Sequence, residues 1–175
     1  MGGIAGNFKG KIQNCGYWGE VCGTEYVGGI CGMLGYQANI EGCKADANIE
    51  GDNYIGGISG SMKNANIIAS YSCGTIKAAS SASNIGGIGN DTQYNSSKVT
   101  LCYSATTCTH SKFNLLYSNT SYTTHSYSIY NTTDIAKKME EEYSDYAYFW
   151  NYNNIWTCEN NKSELVECPR LAWEE

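Results

Sequence analysis

Short apolar segments recur along the first hundred residues and are separated by turns rich in glycine and polar residues. Each segment has three to six residues, and most contain a β-branched side chain. Segments of this length and composition between turn formers are typical of β-strands. Three of them fall in every stretch of 26 to 30 residues, so the pattern predicts a coil with three short strands.

A five-residue glycine phrase marks the start of each unit. It reads GGIAG at residues 2–6, GGICG at 28–32, GGISG at 56–60 and GGIGN at 86–90. Recurrence at a period of about 20 to 50 residues indicates an array in which each unit buries its apolar face against its neighbours. The predicted fold is all-β: a parallel, right-handed β-helix, or solenoid, of about four three-sided coils. We expect the glycines to supply positive φ at the corners and to let adjacent coils approach closely.

Alignment on the glycine phrase places equivalent apolar residues in columns, because stacked coils lie about 4.8 Å apart. One predicted inward column contains Ile4, Ile30, Ile58 and Ile88. A second contains Ile12, Ile40, Ile68 and Val99, and the core is completed by Val21, Ile49 and Ile76. Tyr26 and Tyr54 precede the next phrase in their units and are expected to stack.

The phrase is lost in the second half of the chain. We expect repeats over residues 1–105, with units starting near 2, 28, 56 and 86, and a different organisation over 106–175. The segment 104–130 is predicted to be either a degenerate coil or a long loop. One short helix is predicted over 133–143, because Ile135, Met139 and Tyr143 form an apolar stripe that can cover the last coil.

A Trp-rich hairpin is predicted to complete a C-terminal cap. Trp150, Trp156 and Trp173 are expected to plug the end of the coil, in preference to forming an exposed carbohydrate platform. Cys158 and Cys168 flank a polar turn, and their spacing suits a disulfide across the hairpin.

The glycine phrase, the following I-x-x-C and a later V-x-G or G-x-V together resemble the bacterial GLUG-motif repeat, which occurs in large secreted and cell-surface proteins. The resemblance covers about residues 2–105 and is closest in the first two units. The ending W-x5-W followed by P-x-L-x-W is also similar to the ends of such arrays. The resemblance implies a parallel β-solenoid with an extracellular address, and it supplies no catalytic residues.

Charge and hydropathy exclude two classes of partner. The net charge is −6 and no basic face is evident, so nucleic acid is not an expected partner. No apolar run reaches the roughly 20 residues that span a bilayer, so no membrane insertion is expected. Nine cysteines and five N-x-S/T sequons are compatible with a secreted protein.

Candidate chemistry is sparse, and no catalytic, metal-binding or cofactor-binding residue is predicted. The alignment brings no two carboxylates into one column, so a glycosidase-like acid pair is not expected. His110 and His125 are expected to be loop histidines, although their spacing permits a triad with Cys108 or a nearby serine. The phrase lacks the aspartates of calcium-binding β-rolls. Cys15, Cys43 and Cys102 are expected to share a buried ladder with Tyr71 as free thiols.

These observations predict a non-catalytic structural or adhesive repeat module of a larger secreted or surface-displayed protein. It would present a rigid solenoid surface to a host or self protein or to a glycan. Two alternatives remain at this stage: the non-catalytic repeat region of a large secreted peptidase, and a carbohydrate-active β-helix.

Overall fold

The chain is described by a computed structural model that covers residues 1–93 and 97–117, together with the pairs 123–124, 127–128, 156–157 and 170–171. Every regular element within these residues is a β-strand. In chain order the strands are β1 (Ala5–Phe8), β2 (Lys11–Gln13), β3 (Gly16–Cys22), β4 (Glu25–Gly28), β5 (Cys31–Leu34), β6 (Asn39–Glu41), β7 (Lys44–Gly51), β8 (Asn53–Gly56), β9 (Ser59–Lys63), β10 (Asn66–Ile68), β11 (Tyr71–Ala78), β12 (Ile85–Gln93), β13 (Lys98–Thr100), β14 (Tyr103–Ser104), β15 (Phe113–Tyr117), β16 (Thr123–Thr124), β17 (Tyr127–Ser128), β18 (Trp156–Thr157) and β19 (Arg170–Leu171).

Three parallel sheets contain all of these strands except the last two. The first sheet has the order β1-β5-β9-β12-β8-β4, with β15 also paired to β12; the second is β16-β13-β10-β6-β2 and the third is β17-β14-β11-β7-β3. Each coil adds one strand to the second and third sheets and two consecutive segments to the first. The fold is therefore an all-β solenoid of about four turns with stacked parallel strands, and this part of the predicted architecture is confirmed.

The predicted C-terminal cap lies largely outside the described residues. Within it, β18 and β19 pair antiparallel, with Trp156 opposite Leu171. The other parts of the predicted cap lie outside the described residues: the helix over 133–143, Trp150, Trp173, Cys158 and Cys168.

The isoleucines of the four glycine phrases form one continuous column. The backbone N–H of Ile4 donates to Ile30 O at 3.0 Å, that of Ile30 to Ile58 O at 3.0 Å, and that of Ile58 to Ile88 O at 2.9 Å. Ile30, Ile58 and Ile88 are fully buried, whereas Ile4 is 43% exposed. Ile4 keeps the register of the column, but the prediction that it is a buried core residue is wrong, because its coil has a described neighbour on one side only.

The second column contains Ile67 where the alignment on the phrase placed Ile68. Ile12 pairs with Ile40, Ile40 with Ile67, and Ile67 with Val99. Ile67 is fully buried, whereas Ile68 faces outward and is partly exposed. The predicted inward position of Ile68 is a one-residue register error, and such a slip moves a strand residue to the opposite face of the sheet.

The corner between the second and third sheets repeats one backbone conformation in every coil. The column consists of Asn14, Gly42, Ala69 and Leu101, with φ values of 50°, 60°, 44° and 52°. Three of the four are not glycine, although this left-handed conformation favours glycine. The glycine phrases contain none of the positive-φ residues in the described part of the chain, so the predicted corner role of those glycines is wrong.

Close packing explains the phrase glycines instead. A Cβ on Gly29 would lie 2.6 Å from Ala45 Cβ, and a Cβ on Gly57 would lie 2.7 Å from Ser72 Cβ. Real Cβ atoms essentially never approach other atoms below 3.0 Å. The first sheet therefore touches the third across each coil at the second glycine of the phrase, and we call this contact the waist.

The core on one side of the waist contains the two isoleucine columns. On the other side a second cluster includes the predicted core residues Val21, Ile49 and Ile76, together with Val27, Ile55 and Ile85. Beside this second cluster the rings of Tyr26 and Tyr54 stack, with centroids 4.9 Å apart and an interplanar angle of 15°, which confirms the predicted aromatic pair.

Substitution at the waist is expected to destabilise the solenoid. The new methyl group of Gly57→Ala would overlap Gly87 O and Ser72 Cβ, so the free energy of unfolding should fall by about 1 to 3 kcal/mol or more. Gly6→Ala is the matched control, because a Cβ there meets nothing within 4 Å and the change should stay within about 0.5 kcal/mol. Urea unfolding measures the free energy of unfolding of both variants. Equal losses of stability would contradict the close contact at the waist.

The register of the second sheet can be tested with two adjacent isoleucines. Ile67→Ala removes a fully buried side chain and is expected to lower the free energy of unfolding by about 2 to 5 kcal/mol. Ile68→Ala removes a partly exposed one and should lower it by less than about 1 kcal/mol. Thermal and urea denaturation of both variants test the register. A larger loss of stability in Ile68→Ala than in Ile67→Ala would show that Ile68 is the buried residue.

Candidate binding surface

The outward side of the third sheet carries aligned rows of polar residues. Glu20, Asn48 and Thr75 are in register across β3, β7 and β11, and an isolated bridge pairs Thr75 with Thr107. Two residues further along the strands a second row follows the same register. We call both rows together the polar face; its members are Glu20, Asn48, Thr75, Thr107, Cys22, Glu50 and Lys77.

Strand alternation explains why these residues face solvent. Val21, Ile49 and Ile76 lie between the two rows and are buried in the core. Successive side chains of a strand point to opposite sides, so their neighbours must point outward. The apolar column therefore fixes the position of both polar rows.

Hydrogen bonds between coils hold the first row in place. Thr75 Oγ1 donates to Asn48 Oδ1 at 2.7 Å, and Thr107 Oγ1 donates to Gly74 O at 3.2 Å. The backbone N–H of Ile76 donates to Thr107 O at 2.8 Å, which fixes the start of the segment that follows β14. The row is thus ordered by bonds along the solenoid axis.

Charge is distributed unevenly along the polar face. The acidic residues Glu20 and Glu50 lie on the first two coils, and Lys77 lies on the third. Glu50 and Lys77 occupy neighbouring positions of one row, as the alignment predicts, but no ion pair joins them within the described residues. Lys77 therefore keeps its charge available to a partner from solution.

A groove of about 660 Å³ opens at the basic end of the polar face. Its floor includes Ile76, and its wall is the segment 107–111 that folds back onto β11. The lining residues are Thr75, Ile76, Lys77, Thr107, Cys108, Thr109, His110, Ser111 and Phe113. Hydroxyl groups are the most frequent polar group in this lining.

The groove brings together Cys108 and His110, the two residues that the sequence offers for a nucleophile and a base. The backbone N–H of Lys112 donates to His110 Nδ1 at 3.2 Å, so the proton of the neutral ring is assigned to Nε2. Nε2 lies 3.5 Å from Ser80 O. Burial raises the pKa of the Cys108 thiol, so it is not activated as a thiolate. The arrangement of Cys108 and His110 therefore suits hydrogen bonding. The other histidine, His125, lies outside the described residues.

The carboxylates do not gather into a column. Glu20 is in register with Asn48, Glu41 with Gln13, and Glu50 with Cys22, as the alignment predicts. On the second sheet the ammonium group of Lys11 lies 2.7 Å from Glu41 Oε2, and Gln13 Nε2 donates to the same oxygen at 3.1 Å. Polar groups on that side of the solenoid therefore bond to one another.

Trp18 is a surface residue that the sequence analysis did not single out. Its side chain is 47% exposed on β3, and the ammonium group of Lys44 lies 5.4 Å from the ring centroid. A cation over an aromatic face is attractive and fixes the orientation of the ring. No periodic signal marks Trp18, because the other coils have Asp46 and Cys73 at this position.

The corner cysteines act as hydrogen-bond donors. In each coil the side chain at this position donates to the carbonyl two residues earlier, over 3.0 Å from Cys15, 3.4 Å from Cys43, 2.9 Å from Ser70 and 3.3 Å from Cys102. The prediction that Tyr71 shares this ladder is wrong by the same one-residue slip that affects Ile68. Within the described residues the cysteines that form no disulfide include Cys15, Cys22, Cys31, Cys43, Cys102 and Cys108.

The first sequon is not accessible in the folded chain. Asn90 is fully buried, and its side-chain nitrogen donates to Ile55 O at 2.9 Å and to Gly60 O at 2.8 Å. That nitrogen is the atom that would carry a glycan. The side chains of the other four sequon asparagines lie outside the described residues.

The described residues contain neither a metal-binding cluster nor a membrane-spanning helix. No group of three or more His, Cys, Asp or Glu side chains there is arranged to hold a metal ion. In the same part of the chain, no helix has the length and apolar character needed to cross a bilayer.

Comparison with known proteins gives no relative: no family model matches the sequence, and no curated protein or solved structure is detectably similar to it. The resemblance to GLUG-motif repeats therefore stays a prediction. The candidate surface has to be judged on its own geometry.

Stability is expected to decrease in alkaline solution because of two corner thiols. Burial raises the pKa of Cys43 and of Cys102 from 9.0 to about 12. The unfolded chain therefore releases these protons first, and the stabilisation is complete below about pH 9 and is lost as the pH rises towards 12. Each thiol steepens the fall by up to about 1.4 kcal/mol per pH unit.

Cys43→Ser is the variant that tests this effect, because Ser70 already occupies the equivalent position. The free energy of unfolding, measured by urea between about pH 8 and about pH 11, should fall less steeply in Cys43→Ser than in the parent chain. Cys22→Ser, at an exposed thiol, is the control and should leave the slope unchanged. Identical slopes in all three proteins would refute the assignment.

Proposed function

We propose that the chain is a non-catalytic structural and adhesive module of a larger secreted or surface-displayed protein. It uses the polar face to contact a protein or glycan partner. The observation that carries the proposal is the in-register row of Asn48, Thr75 and Thr107 on the outer side of the third sheet, whose side chains are held by hydrogen bonds between coils. A surface of this kind loses little conformational entropy on binding, because its groups are already ordered.

The two sides of the solenoid support this choice of surface. On the second sheet, Asn66 Nδ2 donates to Asn39 Oδ1 at 2.8 Å, and the Lys11–Glu41 ion pair neutralises both charges. On the third sheet, Lys77 and Glu50 make no such pair within the described residues, and a groove adjoins them. Unpaired charge and concavity both favour the third sheet as the binding side.

The extracellular address and the capping of the array belong to the same proposal. The four sequons other than that at Asn90, the number of cysteines and the similarity to GLUG-motif repeats support secretion or surface display. A right-handed winding is the usual one for parallel crossovers. Trp150, Trp156, Trp173 and the helix over 133–143 would close one end of the coil, and a Cys158–Cys168 disulfide would fasten that cap.

A pair of equivalent asparagines provides the test. Asn48 on the third sheet and Asn39 on the second sheet both lie on the second coil, and each accepts one hydrogen bond from the third coil. Asn48→Arg would place a long charged side chain across the polar face, whereas Asn39→Arg would place the same group on the other side. Beads coated with each purified chain would be applied to an array of neutral and acidic glycans and to immobilised matrix proteins.

We expect the parent chain and Asn39→Arg to adhere to at least one surface, and Asn48→Arg to lose most of that adhesion. Melting temperatures within a few degrees of the parent would show that both variants are folded. Equal adhesion of both variants would exclude the polar face as the contact surface. If the parent chain adhered to none of the surfaces, the result would count against an adhesive function.

A further inference from the structure

The groove at the end of the polar face combines three kinds of group. Hydroxyls come from Thr75, Thr107, Thr109 and Ser111, positive charge comes from Lys77, and apolar surface comes from Ile76 and Phe113. Pockets that bind small polar molecules are built in this way, with a few fixed polar groups on an apolar floor. The composition of the lining therefore restricts the chemistry of the ligand.

The hydroxyl groups favour a ligand that both donates and accepts hydrogen bonds. Thr75 Oγ1 donates to Asn48 and Thr107 Oγ1 donates to Gly74 O, so their lone pairs remain as acceptors for a ligand hydroxyl. Thr109 and Ser111 are exposed and can rotate to donate or accept. A sugar ring, with a hydroxyl on almost every carbon, matches this lining.

Lys77 and His110 add donors for an anionic group. The ammonium group of Lys77 has three donors and no acceptor, and no described carboxylate lies within ion-pair distance of it. Among the described residues, His110 directs its Nε2 proton to one carbonyl, Ser80 O at 3.5 Å, which is a long contact. A carboxylate placed between them would make charge-assisted hydrogen bonds, which are about twice as strong as neutral ones.

The rest of the surface directs an anion to this end. Glu20 and Glu50 repel a carboxylate from the first two coils, whereas Lys77 lies in the groove lining. Phe113 is half-buried in the lining and offers ring carbon to the apolar face of a sugar. An acidic peptide would satisfy the charge, but it has fewer groups that both donate and accept hydrogen bonds than a sugar ring has.

We propose that this groove binds a carboxylate-bearing sugar of an acidic glycan, with Lys77 and His110 recognising the carboxylate and the threonine and serine hydroxyls recognising the ring. This inference rests on the proposed function, because it names the ligand of the same surface. It also assigns the specificity of that surface to its basic end.

The test compares two lysines and two forms of one saccharide. The probes are a glucuronic-acid-containing oligosaccharide, the same oligosaccharide with its carboxyl groups reduced to alcohols, and a poly-glutamate peptide. Biolayer interferometry measures their binding to the full chain, to Lys77→Gln and to Lys98→Gln. Lys98 is an exposed lysine on β13 of the second sheet, so its variant makes the same charge change away from the groove.

The acidic saccharide is expected to bind the parent chain at least about tenfold more tightly than the reduced one, because a charge-assisted hydrogen bond contributes that much. Lys77→Gln should weaken its binding about tenfold, and Lys98→Gln should not change it. Equal binding of the acidic and reduced saccharides, equal effects of the two lysine variants, or equally tight binding of poly-glutamate would each overturn the proposal.

The two experiments together distinguish an error in this proposal from an error in the proposed adhesive function. If no saccharide binds while Asn48→Arg still abolishes adhesion, the acidic-sugar groove is wrong and the polar face remains the contact surface. If no saccharide binds and Asn48→Arg also behaves like Asn39→Arg, both proposals are wrong.

Discussion

The contact at the waist, between the second glycine of each phrase and the third sheet, sets the dimensions of every coil. Gly57 meets Ser72 and Gly29 meets Ala45 so closely that neither glycine can carry a methyl group. The third-sheet residues that face these glycines in the second to fourth coils, Ala45, Ser72 and Ser104, are accordingly small, whereas the first coil has Tyr17 at this position. The same contact divides the core into two clusters: one contains both isoleucine columns, and the other contains Val21, Ile49 and Ile76. With the width of the coil fixed, the strands of the third sheet keep one register, and the outward rows follow from it.

The repeat period was sufficient to predict three parallel sheets, because each coil can bury apolar surface only against the next. It was insufficient to choose between Ile67 and Ile68. Both are apolar, and the turn before them varies in length from coil to coil, so alignment on the glycine phrase gave the wrong face. The corners were misassigned for a related reason. Their left-handed conformation is imposed by the stack on residues such as Ala69 and Leu101, which carry no turn signal of their own.

The candidate surface was predictable only where it follows the register. Alignment places Glu50 beside Lys77 and keeps the carboxylates apart, and the strand pairing agrees. The groove could not be predicted in this way. It depends on the segment 107–111 folding back onto β11 through the Thr75–Thr107 bridge, and its threonines follow no period. His110 and Cys108 were noticed as a possible catalytic pair, whereas their backbone contacts and the raised thiol pKa suit a binding wall.

The direction of the interstrand hydrogen bonds has a mechanical consequence. They run along the solenoid axis, from Ile4 to Ile30 to Ile58 to Ile88, and one set joins each pair of coils. A pulling force applied to the first coil would load the outermost set alone and peel the stack one coil at a time. Cys31 and Ser59 are 28 residues apart and in register, so each released coil would lengthen the chain by roughly 90 to 100 Å. Such a chain would absorb tension in steps while the remaining coils keep their shape.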